Sequence, residues 1–481
     1  MNEVLSTTLL GLAAIVATIG IVLFIALVLH WGHKREQGLI PYIFYPTFLI
    51  IALTVLLSGR NLYLSNEFIE PFMGKHPVLV WVGRANSLFM LFAACERIAR
   101  RFLYSGYKPD TPIFLIAALW VYFLSNVVSS AFLSAHPSFT HEYIYAVVAG
   151  TASLLCSEQE GDTAVRSVRN ALFIFIILSG VTLAFRPEMV ISPNYQGLIP
   201  GFNIRYFGLS SHANSFGPLI VVFLICLWNK RYSSRWLNLV GWIIGSVSLV
   251  LTQSKTSWIA IVVCAFCIGY FRYGSFLKQR LFDFKHPQFT SFVLILMMLS
   301  IGSLGFVVML TDFGEAFNSF FATKEGGDIL SLTGRDEIWE VAIREWHNNP
   351  VFGYGLTIWD ERYRARIGIP AAFHAHSQFY QSLSSAGIVG VVGLVVYAMA
   401  LCRFALKTAK SSGGLSISLF MILFVRSISE SPLSIESFGS EMVTHLLLLM
   451  VVAAHLAPRR VESLGAKTSS DFRLGSSRGL A

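Results

Sequence analysis

The chain has 481 residues, of which 54% are hydrophobic and only 13% charged, against roughly 25% charged in an ordinary soluble domain. That balance excludes a water-soluble enzyme. The formal charge of +9 comes without a basic, aromatic-lined groove or a recognition motif, which excludes nucleic acid as the partner.

Thirteen apolar runs follow one another, near residues 9–30, 41–59, 78–96, 112–133, 142–156, 171–185, 214–228, 236–252, 256–271, 291–311, 386–406, 415–431 and 439–457. Runs of this length with few charges predict transmembrane helices, and only helices satisfy the backbone in lipid at these lengths. The expected fold is therefore all-α and polytopic, with about 12–13 spans. The first run is too long for a signal-peptide core and lacks a basic start, so it reads as a retained helix. Cys264 and Cys267 form a CxxC inside a span, where small apolar packing is expected rather than redox or metal chemistry.

Loop charge sets the orientation. Lys34, Arg35, the cluster from Arg97 to Lys108, Arg166, Arg169, the Lys230 to Arg235 turn, the stretch from Arg272 to Lys285, and Arg403, Lys407 and Lys410 fall in alternate loops. The remaining short loops hold only Arg60, Lys75, Arg186, Arg205 and Lys255. The positive-inside rule puts the first set in the cytoplasm. Residues 1–199 then form N-terminal spans, residues 200–457 a core with a large outer loop at 312–385, and residues 458–481 a polar cytoplasmic tail.

The outer loop is too small for a core of its own and is expected to lie on the membrane domain as a lid. Within it, LTGRDEIWEVAIREWHNNP predicts an amphipathic helix. Thr333 and Asp336 resemble a capping box, Ile338, Ala342 and Trp346 share a stripe, and Pro350 follows the end. Arg335 sits at the N-terminal edge, where an anion could bind.

The outer face also collects the residues suited to chemistry. The stretch FHAHSQFYQ holds His374 and His376. An HxH pair in extended backbone could share a metal, but no nearby carboxylate or Cys completes a ligand spacing, and no metal or other cofactor is expected. An imidazole ordinarily titrates near pH 6.5 and can accept a hydroxyl proton, so His376 is the candidate base. Arg205 and His212 lie within NIRYFGLSSHANS, and Arg suits a diphosphate. Lys255 stands at a third outer turn. Arg84, Arg426 and Glu430 lie within spans, where an ionisable group faces a partner or a wet cavity. Arg426 and Glu430 are spaced to pair on one helix.

These residues resemble the O-antigen ligase and Wzy-type polymerase superfamily of bacterial membrane glycosyltransferases. RYFGL, Arg205 to Leu209, matches the family's Arg-x-x-x-Leu. His376, Ser377, nine residues and Gly387 match its His-Ser-x9-Gly. SSHAN, TQSKT, TGRDEIW, FGYGL and FVRSISESPLSIES are similar to the exopolysaccharide-polymerase branch. The resemblance implies glycan transfer from undecaprenyl diphosphate at the periplasmic face of the inner membrane, without metal. His376 and Arg205 would be catalytic, and Arg335, Lys255, His374, His212, Arg426 and Glu430 would contact diphosphate or glycan. The acceptor would be a glycan (polymerase) or lipid A core (ligase), with a flippase and a chain-length regulator as expected partners. A transporter of the same lipid is a third reading, disfavoured because no internal repeat appears and the polar groups crowd one face.

Overall fold

The computed structural model describes residues 38–63, 77–103, 111–193, 203–283, 287–310, 335–370, 372–435 and 440–456, with residues 22, 26, 30, 195 and 285 in addition. The predicted run at 9–30, the Thr333 cap and the tail at 458–481 lie outside, apart from the three isolated positions in the first run.

The all-α expectation holds. Among the described residues six helices are long and apolar enough to span a bilayer, and six more apolar helices are shorter. In chain order they are α1 (Phe44–Leu57), α2 (Pro77–Leu103), α3 (Ile113–Leu133, with a π turn at Leu124–Val128), α4 (Tyr143–Ser153), α5 (Glu158–Phe185), α6 (Ala213–Asn229), α7 (Arg235–Leu251), α8 (Lys255–Leu281) and α9 (Gln288–Leu310). The long loop after α9 supplies α10 (Arg335–Asn348) and α11 (Glu361–Ile367), and α12 (Gln378–Lys407), α13 (Leu415–Ser429) and α14 (Ser440–Leu456) complete the bundle.

Two helices sit at the centre. Every residue from Met442 to Ala454 of α14 and from Phe216 to Leu227 of α6 is buried, as expected for helices that are apolar all round. The other spans turn side chains such as Trp236, Phe266 and Met399 outward, where lipid is the natural neighbour.

Hydropathy underestimates the helices because caps, not apolarity, decide where they start. The run at 171–185 is the distal half of α5. Its start is a capping box in which the Ser157 hydroxyl accepts the Glu160 N–H and the Glu160 carboxylate accepts the Ser157 N–H. Arg166 and Arg169 therefore ride on a helix, not in a loop. The same holds for Arg97, Arg100 and Arg101 on α2, for Arg272, Lys278 and Arg280 on α8, and for Arg403 and Lys407 on α12. The ends of α2 and α5 are locked together by Arg97 and Glu160 at 3.2 Å, while Glu160 and Glu96 accept the backbone N–H groups of Gly38 and Leu39.

The outer loop differs from expectation in two ways. It has a small core of its own, in which Ile338, Val341 and Ala342 of α10 pack with Tyr354, Ile358, Trp359, Tyr363, Ala372 and Ala375. It is also shorter, because α12 begins at Gln378 rather than near 386. A kink at Gly387 (φ 63°, ψ −155°) separates this first segment of about two and a half turns from the rest. The kink lets the NPVFGYG segment lie on the helix, with the Ile388 N–H donating to the Pro350 carbonyl and the Tyr354 N–H to that of Ser384. A Cβ on Gly387 would stand 2.5 Å from the Val351 carbonyl carbon, so only glycine fits here on both counts.

Candidate functional site

The site forms where four segments meet: a β-hairpin before α6, the first turn of α6, the HxH loop before α12, and the end of α13. In the hairpin, β1 (Ile191–Pro193) pairs antiparallel with β2 (Ile204–Tyr206), which places Arg205 opposite Ser192. Arg205 lies 4.6 Å over the Tyr195 ring, its Nη2 donates to Asn214 Oδ1 at 2.8 Å and its Nε to the Thr252 carbonyl at 3.3 Å. Burial lowers its pKa, and a guanidinium stays charged regardless.

The loop that carries Arg205 is held by Arg60. This side chain was expected only as one of the few outer-loop cations. It is buried, and its Nε, Nη1 and Nη2 donate to the carbonyls of Met189, Ser210 and Gly208 at 2.6–2.7 Å. Gly208, inside RYFGL, has φ +56°, and a Cβ there would meet the Phe216 ring at 2.6 Å. Leu209, the last residue of that motif, is fully buried. The motif thus fixes a tight turn as well as presenting Arg205.

His212 is the N-cap of α6; its Nδ1 accepts the Asn214 N–H at 3.1 Å. Burial, reinforced by Arg205, pushes its imidazole down to about 3, so it is neutral at pH 7. Asn214, which sequence reasoning did not single out, links the two halves of the site. It accepts from Arg205 and its Nδ2 donates to Glu430 Oε1 at 3.4 Å.

Glu430 is the focal point. His374 Nε2 is 3.2 Å and His376 Nδ1 3.3 Å from the same Glu430 oxygen, Oε2. The His374 Nδ1 accepts the His376 backbone N–H at 3.1 Å, which leaves the proton of neutral His374 on Nε2, aimed at the carboxylate. Burial, followed by the charge of His376, lowers His374 to about 4. Burial alone would raise Glu430, but the His376 contact and the charges of His374 and Arg426 outweigh it and hold the carboxyl well below the usual range. With Nδ1 of His376 turned to Glu430, its Nε2 makes no hydrogen bond to any described residue. Nδ1 faces the carboxylate at 3.3 Å without forming a hydrogen bond in this geometry; a small turn of the ring would give the pairing by which a carboxylate orients an imidazole for proton transfer.

The HxH loop is stapled. The Ala375 carbonyl accepts from Trp339 Nε1 at 2.9 Å, and the Ala375 N–H donates to Gln381 Oε1 at 3.0 Å. Trp339 stacks on Tyr380 at 4.9 Å, so the lid helix α10 grips the start of α12. Gln378 accepts the Leu433 N–H at 2.8 Å, which fixes the segment after Glu430 against the one after His376. His376 itself has φ +47°, a conformation uncommon outside glycine and concentrated at functional sites.

The expected Arg426–Glu430 pair does not form. The helix ends at Ser429, and Glu430 is extended (φ −150°, ψ 179°), so the i, i+4 spacing no longer puts the two on one helical face. Arg426 instead forms a two-pronged pair with Glu441. Arg335, half-buried at the start of α10, lies within the field of Glu430, and Lys255 opens α8 three residues beyond Thr252. Arg84 lies outside this cluster, its guanidinium 5.3 Å over the Trp81 ring of its own helix.

The trio of His374, His376 and Glu430 brings its ligand atoms within 4.8 Å of one another. The carboxylate absent from the sequence neighbourhood of the HxH pair is thus supplied by tertiary contact, and these are ligand types a divalent cation accepts. The surrounding charge opposes one: Arg205 and Arg426 act on Glu430, and Arg335 on both Glu430 and His374.

No curated protein matches the chain. Residues 240–395 match the O-antigen ligase family model, a stretch that runs from α7 into α12 and includes Lys255, Arg335, both HxH histidines and Gly387. By this match the segment that carries α10 and the HxH pair is similar to the O-antigen ligase family.

Proposed function

We propose that the protein is a membrane glycosyltransferase that moves an oligosaccharide from undecaprenyl diphosphate to an acceptor hydroxyl at the periplasmic face of the bacterial inner membrane. The observation that carries this reading is the single cluster in which Glu430 aligns His376 while Arg205 stands one residue away through Asn214. In the step, His376 Nε2 takes the acceptor O–H proton. The acceptor oxygen bonds to the anomeric carbon, and the anomeric C–O bond breaks with its electron pair passing to the diphosphate oxygen. Arg205, with Arg335 as second cation, neutralises that developing charge. His374 shares the carboxylate and fixes the loop; His212 and Lys255 border the diphosphate position. Arg426, held by Glu441, sets where the end of α13 delivers Glu430.

The acceptor we favour is a growing glycan, so that the enzyme polymerises repeat units. The motifs TGRDEIW and TQSKT support this branch. Transfer to lipid A core is the second reading, favoured by the family description that residues 240–395 match. A deletion strain separates the two. Loss of long polymer with single repeats still attached or secreted means polymerase. Full-length polymer stranded on undecaprenyl diphosphate beside bare lipid A core means ligase. Normal surface glycan would sink both. Metal independence is part of the proposal, because a dication would add to the arginines already acting on one carboxylate. Transfer that EDTA abolishes and zinc restores would refute that part.

A further inference from the structure

A second charged site lies at the other end of α6. Capped by His212, that helix runs 17 residues from Ala213 to Asn229, about 25 Å at 1.5 Å per residue, so its far end is at the opposite leaflet from the candidate site. There a cavity of about 480 Å³ is lined by Arg166 and Arg169 of α5 and by Lys230, Arg231 and Tyr232 of the turn into α7.

The four cations are not equivalent. Arg169 is buried and fixed. Its Nε and Nη2 donate to Asn170 Oδ1 at 3.1 and 2.9 Å, its Nη1 donates to the Lys230 carbonyl, and its guanidinium lies 3.8 Å from the Tyr232 ring centre. It forms a rigid positive floor. Lys230 pairs with Asp162 at 2.6 Å. Arg166 and Arg231 are exposed and make no hydrogen bond or ion pair with the described residues. Four cations therefore face one carboxylate.

The wall beside the cavity is apolar and faces outward. Ile177, eleven residues after Arg166, returns to the same face of α5 and is exposed, and Trp236 in the first turn of α7 is 75% exposed. A soluble anion has no use for such a wall, whereas acyl chains do. Basic pockets between spanning helices on the cytoplasmic side take anionic lipid headgroups, and this end carries the Lys- and Arg-rich segments.

We propose that this pocket binds the phosphate of an anionic glycerophospholipid, with Arg166 and Arg231 clasping the headgroup over Arg169 and the acyl chains running along Ile177 and Trp236. The test uses the purified full-length protein in mild detergent, with phosphatidylglycerol or phosphatidylcholine added and bound lipid read by native mass spectrometry. Phosphatidylglycerol should be retained in preference to phosphatidylcholine. The double variant Arg166→Gln/Arg231→Gln should retain it at least tenfold more weakly, and Arg166→Lys/Arg231→Lys should largely restore binding. Both side chains are exposed, so melting in phosphatidylcholine micelles should match the unmodified protein. If the double variant melts early, Arg231→Gln alone should still weaken retention about threefold. Equal retention of both lipids, or unchanged retention in the glutamine variants, overturns the proposal. Displacement of phosphatidylglycerol by millimolar inorganic phosphate also overturns it, since the site would then be one for a soluble anion.

Discussion

Glu430→Gln is the most informative substitution. It keeps the shape of the side chain and removes the charge that faces both histidines. When His376 takes the acceptor proton, an imidazolium forms 3.3 Å from the Glu430 oxygen. Two unit charges at that separation attract by about 5 kcal/mol at an effective dielectric of about 20. Some of that is recovered by the neutral amide and by relaxation, so about 3–5 kcal/mol of transition-state stabilisation should be lost, or roughly 10²–10⁴ in rate. The assay is transfer in proteoliposomes from purified undecaprenyl-diphosphate-linked oligosaccharide. Intact folding is checked by monodispersity and melting temperature. If Glu430 acts through His376, His376→Ala and the double variant should fall to a similar residual rate, because residues acting as a unit are not additive. Wild-type transfer by Glu430→Gln, or losses that simply add in the double variant, would refute the dyad.

Three further outcomes follow from the same geometry. Arg205→Ala should lower transfer by roughly 10²–10³ in single-turnover measurements, the usual effect of removing one charge-stabilising donor, and Arg205→Lys should recover only part of it because the fork to Asn214 and Thr252 is lost. Gly387→Ala combines a positive φ with a Cβ driven into the Val351 carbonyl; the near-glycine-only backbone (φ 63°, ψ −155°) alone costs roughly 1–3 kcal/mol, so the yield of monodisperse protein should fall sharply, and a normal yield would contradict the docking of the NPVFGYG segment. His212 and His374 have imidazoles lowered to about 3 and about 4 by burial first. In the window between those values and 6.5 the unfolded chain binds more protons than the folded one. The stability they confer is therefore complete above about pH 6.5 and declines as pH falls toward 4. Melting temperature should drop across that window, and His374→Asn should flatten the drop.

The spans and the amphipathic helix of the long loop were legible in the sequence because their causes are local. A long apolar run has one way to satisfy its backbone in lipid, and the amphipathic stripe of α10 is a matter of spacing. RYFGL and the His376 to Gly387 spacing could be read as patterns, although their physical content could not. Gly208 and Gly387 are required by close approach of Phe216, eight residues on, and of the Val351 carbonyl, thirty-six residues back, contacts that spacing alone does not reveal. Arg60 looked like a topological charge and proves to be the clamp on the Arg205 loop.

The charge partners at the candidate site were decided by tertiary structure. Arg426 and Glu430 are spaced to pair, yet the end of α13 at Ser429 turns Glu430 toward His374 and His376 and leaves Arg426 to Glu441. A residue's partner in a buried site is set by which long-range contacts the packed helices permit, and local spacing constrains that choice only while the helix continues. The sequence by itself determined that this chain crosses the membrane and collects cations and imidazoles on one face. The fold decided that one carboxylate, brought from the end of another helix, gathers them into a single site.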